Sequence, residues 1–349
     1  MNKSQDNNKL PLENIVRDVL KTIKKDREIE IISKRFGLYE RRETLEQIGE
    51  TLGITRERVR QLEKAVLSNL VAAAEKGSIA GLDKFEEASL AIISSKGNIS
   101  RVSTLTNALV GSLDKVEQSR VAFLSLLSSK LELLDDDDDY HASVASKKEL
   151  SISKVKTEVT KIVETIKNFK EPKSAKDISE KANIKPLELT EALASVSKKL
   201  AFLNGVWGLV KWPTVNPKNI RDKIYVVLKE NGAHMHFNEI SAAIKDSEFR
   251  RKNVTTQAIH NELIKDNRFV LIGRGIYALK EWGYKQGTVA DIIREVLREA
   301  SEPLHRDEIV KRVLKSRFVK ETTILLNLQG KNQFKRVAKA TYALNDPEA

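Results

Sequence analysis

The sequence predicts a mainly helical protein: an N-terminal helix-turn-helix followed by tandem winged helix-turn-helix domains with short β-hairpin wings. Three observations predict this class. Of 349 residues only 15 are glycine and 7 proline, and aromatic residues make up 5%, a composition that favours helices around modest cores. Two helical patterns meet at a turn near Gly53. In the second half, a set of three helical stretches followed by two short alternating strands occurs twice.

The N-terminal helix-turn-helix is predicted within residues 10–78. Thr44 is a good N-cap residue, and Gln47 stands three positions later, which is the spacing of a capping box. The helix that begins there ends at Gly53, a residue type that a sharp turn tolerates. Thr55 caps the next helix. The apolar inner face of that helix has i, i+3, i+4 spacing and consists of Val59, Leu62, Val66 and Leu70.

The outer face of this second helix carries cationic and amide side chains. They are Arg56, Arg60 and Lys64, with Glu57 and Gln61 beside them. The set suits major-groove reading, because arginine presents a bidentate fork to guanine and glutamine pairs with adenine. Arg58 is placed better for a phosphate. The alternative is that these side chains are only the solvated face of an ordinary amphipathic helix.

Four further segments are predicted after the helix-turn-helix. They are a possible winged-helix-like domain at 81–145, a winged helix at 150–212, a winged helix-turn-helix at 216–285 and a winged-helix-like repeat at 286–346. In the segment at 150–212 the closing hairpin has an Asn204-Gly205 turn, a hairpin signal. Pro213 and Pro217 bracket the following linker and stop regular elements on either side.

Charge and composition narrow the class of function. A net charge of +12 and a pI near 9.5 favour a polyanionic partner, with nucleic acid ahead of a membrane surface. With no cysteine, disulfides, thiolate zinc sites and cysteine nucleophiles are excluded. Because no HExxH, Walker or Gly-x-Ser-x-Gly motif occurs, we expect no enzyme, no cofactor, no metal and no small-molecule substrate. His236 and His305 occupy the same repeat position, which indicates a structural role at the start of the second helix.

The location of the protein is also an expectation from sequence. The N-terminus has no apolar stretch of signal-peptide type, and no segment reaches the roughly 20 apolar residues that span a bilayer. We therefore expect a cytoplasmic, nucleoid-associated protein that makes no contact with a membrane.

The stretch from Arg27 to Leu70 resembles region 4 of the housekeeping-type sigma factors of bacterial RNA polymerase. The motifs that carry the resemblance are "RFGL" at 35–38, "TLEQIG" at 44–49 and "TRERVRQLE" at 55–63. They cover about an eighth of the chain.

The resemblance implies DNA contacts for particular residues. The helix that begins at Arg56 would enter the major groove of a promoter −35 element, with Arg56, Glu57, Arg60 and Gln61 at base edges. Arg58, Arg35 and the start of the Thr44 helix would hold the DNA backbone, the last through its free amides. The remaining surface would face the flap of the RNA polymerase core.

Two departures from the family pattern limit this implication. The family usually continues with a basic stretch, whereas residues 64–70 read "KAVLSNL". The sequence also has no aromatic-rich helix of the kind that captures the −10 element as a single strand. A self-sufficient sigma factor is therefore not expected.

A second stretch, residues 254–284, resembles the HARE type of winged helix. This class is found in the delta subunit of some bacterial polymerases and in several chromatin and restriction proteins. The ending "IGRGIYALKEWGY" carries the resemblance, and residues 317–344 are a looser relative. Basic residues that could contact phosphates, or be simply solvated, are Arg250, Arg251, Lys252, Arg274, Lys335, Arg336 and Lys339.

The acidic run Asp135–Asp139 lies in the net acidic segment at 81–145. Such a run cannot lie in a core and is predicted to cap a hairpin or loop. A solvated loop tip is the favoured interpretation, and a contact with polymerase or a mimic of DNA is the alternative.

Together these patterns predict a DNA-binding transcription initiation factor or regulator. It would bind double-stranded promoter DNA through the region 4-like helix and associate with RNA polymerase. The alternative is a delta-like polymerase accessory or a DNA-binding scaffold without sequence specificity. Arg56, Glu57 and Gln61 favour the first hypothesis, because a segment used only for docking does not need groups that read base edges.

Overall fold

The computed structural model describes residues 10–249, 251–330 and 333–345. The chain forms two compact units, Met1–Lys211 and Trp212–Ala349, and each is described by itself. The described residues are mainly helical and form four small antiparallel sheets of three strands each, which is consistent with helix-turn-helix and winged-helix domains. Within these residues no helix is both long enough and apolar enough to cross a bilayer.

The first unit begins with four helices and continues with two segments that alternate helices and short strands. Its helices are α1 (Leu12–Lys21), α2 (Asp26–Phe36), α3 (Leu45–Leu52), α4 (Arg56–Glu75), α5 (Leu82–Ser94), α6 (Val102–Val110), α7 (Lys115–Leu127), α8 (Ile152–Phe169), α9 (Ala175–Ala182) and α10 (Leu187–Val196). Its strands are β1 (Ile99–Arg101), β2 (Leu131–Leu134), β3 (Ser143–Ser146), β4 (Lys173–Ser174), β5 (Leu200–Leu203) and β6 (Val206–Leu209).

The two later segments of the first unit have the same order of elements: helix, strand, helix, helix, strand, strand. In both sheets the last strand is central, in the orders β1-β3-β2 and β4-β6-β5. The closing strands pair as antiparallel hairpins, with Leu131 opposite Ser146 and Leu200 opposite Leu209. The sequence predicted the hairpins but not the first strand of each sheet, because two or three residues show no period.

Three of the first four helices share a hydrophobic core with the segment that follows them. Buried residues of α1, α2 and α4 belong to the same core as those of α5, α6, α7 and β3. The rings of Phe36 in α2 and Phe123 in α7 lie 5.1 Å apart between centroids, and both side chains are buried. The segments predicted at 10–78 and 81–145 therefore pack on one another as one structure.

A buried arginine provides a polar link across this core. Arg120 in α7 is 6% exposed. Its Nε donates to the carbonyl of Leu38 at 2.9 Å, its Nη1 to Glu117 at 2.6 Å and its Nη2 to Glu13 at 3.2 Å. Because each nitrogen of the guanidinium has a partner, the charge is compensated inside the core.

The acidic run Asp135–Asp139 lies in the loop between β2 and β3, as predicted. It is largely exposed, but it is not a free tip. Lys198 Nζ lies 2.8 Å from Asp136, and Lys199 Nζ lies 2.8 Å from Asp139. The amide of Lys198 also donates to the carbonyl of Asp139. The loop is therefore held against the start of β5, and two of its five carboxylates are paired with lysines.

The second unit contains the same order of elements twice. Its helices are α11 (Ile220–Asn231), α12 (Phe237–Asp246), α13 (Thr256–Lys265), α14 (Val289–Ala300), α15 (Arg306–Ser316) and α16 (Glu321–Gly330). Its strands are β7 (Met235–His236), β8 (Phe269–Gly273), β9 (Ile276–Leu279), β10 (Leu304–His305), β11 (Phe334–Ala338) and β12 (Thr341–Leu344). The sheets again have the last strand at the centre, in the orders β7-β9-β8 and β10-β12-β11.

The two repeat histidines are helix caps. His236 Nδ1 accepts from the amide of Asn238 at the start of α12, and His305 Nδ1 accepts from the amide of Asp307 at the start of α15, both at 3.3 Å. The predicted structural role at the start of the second helix is confirmed.

Loss of the Arg120 guanidinium should loosen the N-terminal helices. We expect Arg120→Met to lower the free energy of opening of α1 and α2 by about 3 kcal/mol, because the substitution leaves the buried carbonyl of Leu38 and the carboxylate of Glu117 unpaired. Native-state amide hydrogen exchange of these helices measures this quantity.

Arg17→Met is the matched control, because Arg17 pairs with the same Glu13 but is exposed. An exposed pair is worth about 0–1 kcal/mol, so this variant should exchange nearly as wild type does. Equal exchange in the two variants would mean that Arg120 does not brace the core.

Candidate nucleic-acid interface

The candidate interface is the helix-turn-helix formed by α3 and α4 with α2 behind it. Both predicted caps are confirmed. The Thr44 amide donates to Gln47 Oε1 at 2.9 Å, and the Gln47 amide donates to Thr44 Oγ1 at 3.3 Å, which completes the capping box. Thr55 Oγ1 accepts from the amide of Arg58 at 3.2 Å. These bonds satisfy amides that a helix start leaves without partners, and so define where α3 and α4 begin.

Two glycines set the turn between α3 and α4. Gly53 ends α3 with φ 65°, in the left-handed region where glycine has no Cβ penalty. Gly49 has a different role: a Cβ there would lie 2.6 Å from the carbonyl oxygen of Ile54. Only a residue without a side chain lets α3 approach the turn so closely. Sequence reasoning identified Gly53 and missed Gly49, since nothing local to α3 indicates that contact.

The inner face of α4 is buried as predicted at Val59, Val66 and Leu70 and half-buried at Leu62, and it divides between two cores. Val59 packs with Ile31 and Ile48 in a small core of the helix-turn-helix. Val66 and Leu70 belong to the larger core shared with α1, α5 and α7. Because one continuous helix enters both cores, the outer face of α4 has a fixed orientation within the first unit.

The predicted DNA-contacting residues of α4, both the base-reading ones and the phosphate contact Arg58, are exposed. They are Arg56, Glu57, Arg58, Arg60, Gln61 and Lys64. Among them, Arg58 Nη1 donates to Gln61 Oε1 at 3.3 Å.

Two arginines of this face are paired with glutamates. Arg56 Nη1 lies 2.8 Å from Glu46 of α3. Arg60 donates to Glu57 through Nε at 2.8 Å and through Nη2 at 2.7 Å. More than half of each of these side chains is exposed, and such pairs are worth about 0–1 kcal/mol each. They can therefore be exchanged for acceptors on a ligand at little cost.

The bidentate pair also changes the titration of its partners. The hydrogen bond from Arg60 lowers the pKa of Glu57 below its ordinary value of 4.5, with smaller contributions from Gln61 and Arg56, while partial desolvation opposes the shift. The same bond raises the pKa of Arg60. Both groups are therefore charged at neutral pH.

Arg35, which the resemblance implies as a backbone contact, is engaged inside the protein. Its Nε donates to Glu63 of α4 at 3.3 Å, and its Nη1 donates to the carbonyl of Glu43 at 3.5 Å. The side chain is 38% exposed. In this structure Arg35 braces α2 against α4 and the loop before α3.

The other predicted phosphate contacts occupy the second unit. Arg251 and Lys252 are exposed in the loop between α12 and α13, and Lys252 Nζ donates to the carbonyl of Ser247 at 2.9 Å. Arg274 is exposed in the turn between β8 and β9. Arg250 lies outside the described residues.

The last hairpin brings together three of the predicted cations. Lys335 and Arg336 lie on β11, and Lys339 lies in the turn that follows. All three are exposed, and Arg336 Nε donates to the carbonyl of Ala338 at 3.1 Å.

Two residues that sequence reasoning missed support the interface. Glu46 holds Arg56 across the turn, and Arg27 Nη2 donates to the carbonyl of Leu52 at the end of α3 at 2.7 Å. Neither pairing follows a helical spacing within one element, so no periodicity could have predicted it.

Residues 25–71 match the family model described as Sigma-70, region 4. This match includes α2, α3 and nearly all of the exposed and buried faces of α4 described above. It supports a DNA-binding, transcription-related role for a helix-turn-helix in this segment. A comparison of the whole sequence with curated proteins gives no match.

Filling the space beside Gly49 should destabilise the helix-turn-helix. Alanine is a better helix former than glycine by about 1 kcal/mol, yet we expect Gly49→Ala to destabilise α3 and α4 by about 1–3 kcal/mol, because the new Cβ overlaps a backbone oxygen. Amide hydrogen exchange in residues 45–62 measures the change.

Thr51→Ala is the control, because it also improves helix propensity on α3 but at an exposed position. It should leave exchange unchanged or slower. If Gly49→Ala also slowed exchange, the close approach of α3 to the turn would be refuted.

Removal of the Arg60 fork should return the Glu57 carboxyl to its ordinary titration. In wild type the bond to Arg60 favours the charged form, so the pair persists above the ordinary pKa and is lost as pH falls through the lowered pKa. We expect the pKa of Glu57 to rise in Arg60→Met, as followed by carboxyl ¹³C NMR. In Arg58→Met, which keeps the pair between Arg60 and Glu57, the pKa of Glu57 should stay as in wild type. Equal pKa values of Glu57 in wild type and Arg60→Met would contradict the pair.

Proposed function

We propose that this protein is a DNA-binding transcription initiation factor or regulator that reads a −35-type promoter element through α4 and associates with RNA polymerase. The observation that carries the proposal is the exposed face of α4, where groups able to read base edges lie together on a helix-turn-helix of the Sigma-70 region 4 type. The finer assignment to the housekeeping type rests on the "TRERVRQLE" motif at 55–63.

Reading would proceed by exchange of the internal pairs for base edges. On entry of α4 into the major groove, Arg56 and Arg60 leave their glutamates, and each can present two parallel N–H groups to guanine. Gln61 can pair with adenine, and Glu57, once released, can accept from the amino group of cytosine. Breaking two exposed pairs costs little, whereas each good bidentate base contact discriminates by about 1–3 kcal/mol.

Phosphate contacts would set the register of α4 in the groove. Arg58 and Lys64 are exposed beside the reading residues. At the start of α3 the capping box occupies the amides of Thr44 and Gln47. Among the described residues, the amides of Leu45 and Glu46 have no partner and are available to a phosphate oxygen.

The second unit would add contacts that do not depend on sequence. We assign it to tandem winged helices, the first of the HARE type, on the basis of the repeated element order and the ending "IGRGIYALKEWGY". Phosphate contacts would come from the turns and wings, through Arg251, Lys252, Arg274, Lys335, Arg336 and Lys339. At the polymerase flap the protein would act as a regulator or partner rather than as a self-sufficient sigma factor.

A second function, that of a polymerase accessory or scaffold, is favoured by one feature of the later segments. Three of their four third helices are poor DNA readers: α7 is largely buried, and neither α10, "LELTEALASV", nor α16, "ETTILLNLQG", contains a lysine or arginine. Such helices suit contacts with protein better than contacts with phosphate. In this case the second unit would serve assembly, and DNA binding would depend on α4 alone or be absent.

The decisive test is discrimination between two DNA duplexes. We expect the full chain, followed by fluorescence anisotropy at two salt concentrations, to prefer a duplex with a TTGACA-type hexamer over a scrambled one. Arg56→Ala and Gln61→Ala should each remove about 1–3 kcal/mol of that preference. Lys64→Ala should lower the affinity for both duplexes to the same extent. It should also make that affinity depend less steeply on salt concentration, as the loss of a phosphate contact does.

Arg17→Ala is the control, because Arg17 is exposed on α1 and is not part of α3 or α4. This variant should bind both duplexes as wild type does. Equal binding of the two duplexes by wild type, with polymerase core absent and then present, would refute sequence reading and leave the accessory function as the better proposal.

A further inference from the structure

The helix α13 has an outer face unlike those of the other third helices in the later segments. Gln257, Asn261 and Ile264 follow one another at i, i+4 and i+7 and are exposed. At 3.6 residues per turn they lie within about 60° of one another around the helix axis, so they form one stripe, which we call the amide stripe. The buried residues Ile259 and Leu263 lie on the opposite side, where α13 packs against α11 and α12.

Three contacts fix the orientation of the amide stripe. Thr255 Oγ1 accepts from the amide of Ala258 at 3.2 Å and defines where α13 begins. Thr256 Oγ1 is hydrogen-bonded to Ser241 Oγ of α12 at 3.0 Å. The burial of the inner face holds the rest of the helix. Because α13 cannot rotate without breaking these contacts, the stripe faces away from the core of its own domain.

A buried lysine fixes the loop in front of α13. Lys223 in α11 is 3% exposed, and its Nζ donates to the carbonyl of Arg251 at 2.9 Å. This carbonyl cannot move away without leaving a buried ammonium group unpaired, which is costly. In the same loop, Lys252 Nζ donates to the carbonyl of Ser247 at 2.9 Å. The loop therefore holds the exposed side chains of Arg251 and Lys252 near the start of the stripe.

The amide stripe carries no charge, and exposed cations stand at both ends of α13. Arg251 and Lys252 precede the helix, and Lys265 is its last residue. The carboxylate of α13, Glu262, lies beside the stripe and pairs with Arg221 at 3.4 Å. An uncharged centre with cationic ends matches a DNA groove, in which base edges lie between two rows of phosphates.

The side chains of the stripe have the chemistry that recognises A·T pairs. In the major groove adenine presents an acceptor at N7 and a donor at N6, which is the pattern that one amide side chain complements with its own donor and acceptor. Gln257 Nε2 donates to Asn261 Oδ1 at 3.1 Å, a weak exposed pair that base edges can replace. Ile264 is 65% exposed and can contact the methyl group of thymine.

We propose that α13 is a second base-reading helix, which recognises A·T pairs in the major groove. Gln257 and Asn261 bind adenines, and Ile264 contacts a thymine methyl group. Arg251, Lys252 and Lys265 hold the phosphates on either side. The inference goes beyond the proposed function, which gives the second unit only contacts with phosphates, and it rests on that function only in that this unit binds DNA.

The first test is selection from a library of DNA duplexes with a randomised centre. It uses the full chain carrying Arg56→Ala and Gln61→Ala, in which base reading by α4 is disabled. This chain should enrich duplexes with adenines at two positions. Addition of Gln257→Ala or Asn261→Ala should remove the enrichment at one position each. Gln286→Ala, at an exposed amide of the same unit outside α13, should leave both in place.

The second test replaces single atoms of the selected duplex and measures affinity by fluorescence anisotropy. 7-Deazaadenine has carbon in place of N7 and still pairs with thymine. At the adenine read by Gln257 it should weaken binding about tenfold, and in Gln257→Ala it should cause no further loss. Deoxyuridine in place of the contacted thymine removes the methyl group. It should weaken binding about fourfold, but not in Ile264→Ala.

Three results would overturn the proposal. The first is that the chain with α4 disabled enriches no A·T pairs; selection of a TTGACA-type hexamer by wild type would then leave the proposed function of α4 standing. The second is that enrichment persists when Gln257→Ala and Asn261→Ala are combined, which would assign the reading to another part of the chain. The third is that these substitutions weaken binding to RNA polymerase core and leave base preference unchanged, which would make α13 a protein contact.

Discussion

The packing of α4 into two cores is the constraint on which the first unit depends. Its N-terminal half contributes Val59 to the small core of the helix-turn-helix, and its C-terminal half contributes Val66 and Leu70 to the core shared with α7. A helix of 20 residues fixed at two places cannot rotate without losing one set of contacts. The exposed face of α4 is therefore positioned by residues that never approach a ligand, and Arg120 completes this arrangement at the polar edge of the shared core.

The two buried arginines, Arg120 and Arg317, differ in how far the fold satisfies their hydrogen-bond donors. Arg120 and Arg317 are equally inaccessible, so burial alone does not distinguish them. Arg120 finds a carbonyl and two carboxylates within the fold, and its charge is used by the protein itself. Arg317 has one carbonyl partner, and its Nε and Nη2 are buried without a hydrogen-bond partner among the described residues. The number of satisfied donors, rather than the depth, separates an arginine whose charge is compensated by the fold from one whose burial is only partly compensated.

Features that depend on residues close together in the sequence could be predicted, and features that depend on contacts across the turn or between helices could not. The caps at Thr44 and Thr55 and the turn at Gly53 depend on neighbours within four residues, and all three were predicted. The contact of Gly49 with the carbonyl of Ile54 and the pair between Glu46 and Arg56 depend on the turn geometry, and periodicity does not encode them. Likewise the core shared by α1 and α7 was not predicted, because an apolar pattern in a helix states only that a face is buried. It does not state that the two faces bury one another.

The glutamates on the reading face give a physical reason for selectivity in the proposed DNA binding. Non-specific affinity grows with the number of phosphates that cations neutralise, and Glu46 and Glu57 offset two of the cations on this face. On DNA of arbitrary sequence, Arg56 and Arg60 would leave their glutamates without gaining bidentate acceptors. Little net free energy of binding would then come from these two arginines. At a matching sequence the base edges replace both glutamates. In the proposed function, a face that is half neutralised in the free protein would bind weakly to arbitrary DNA and would gain most of its affinity where the bases fit.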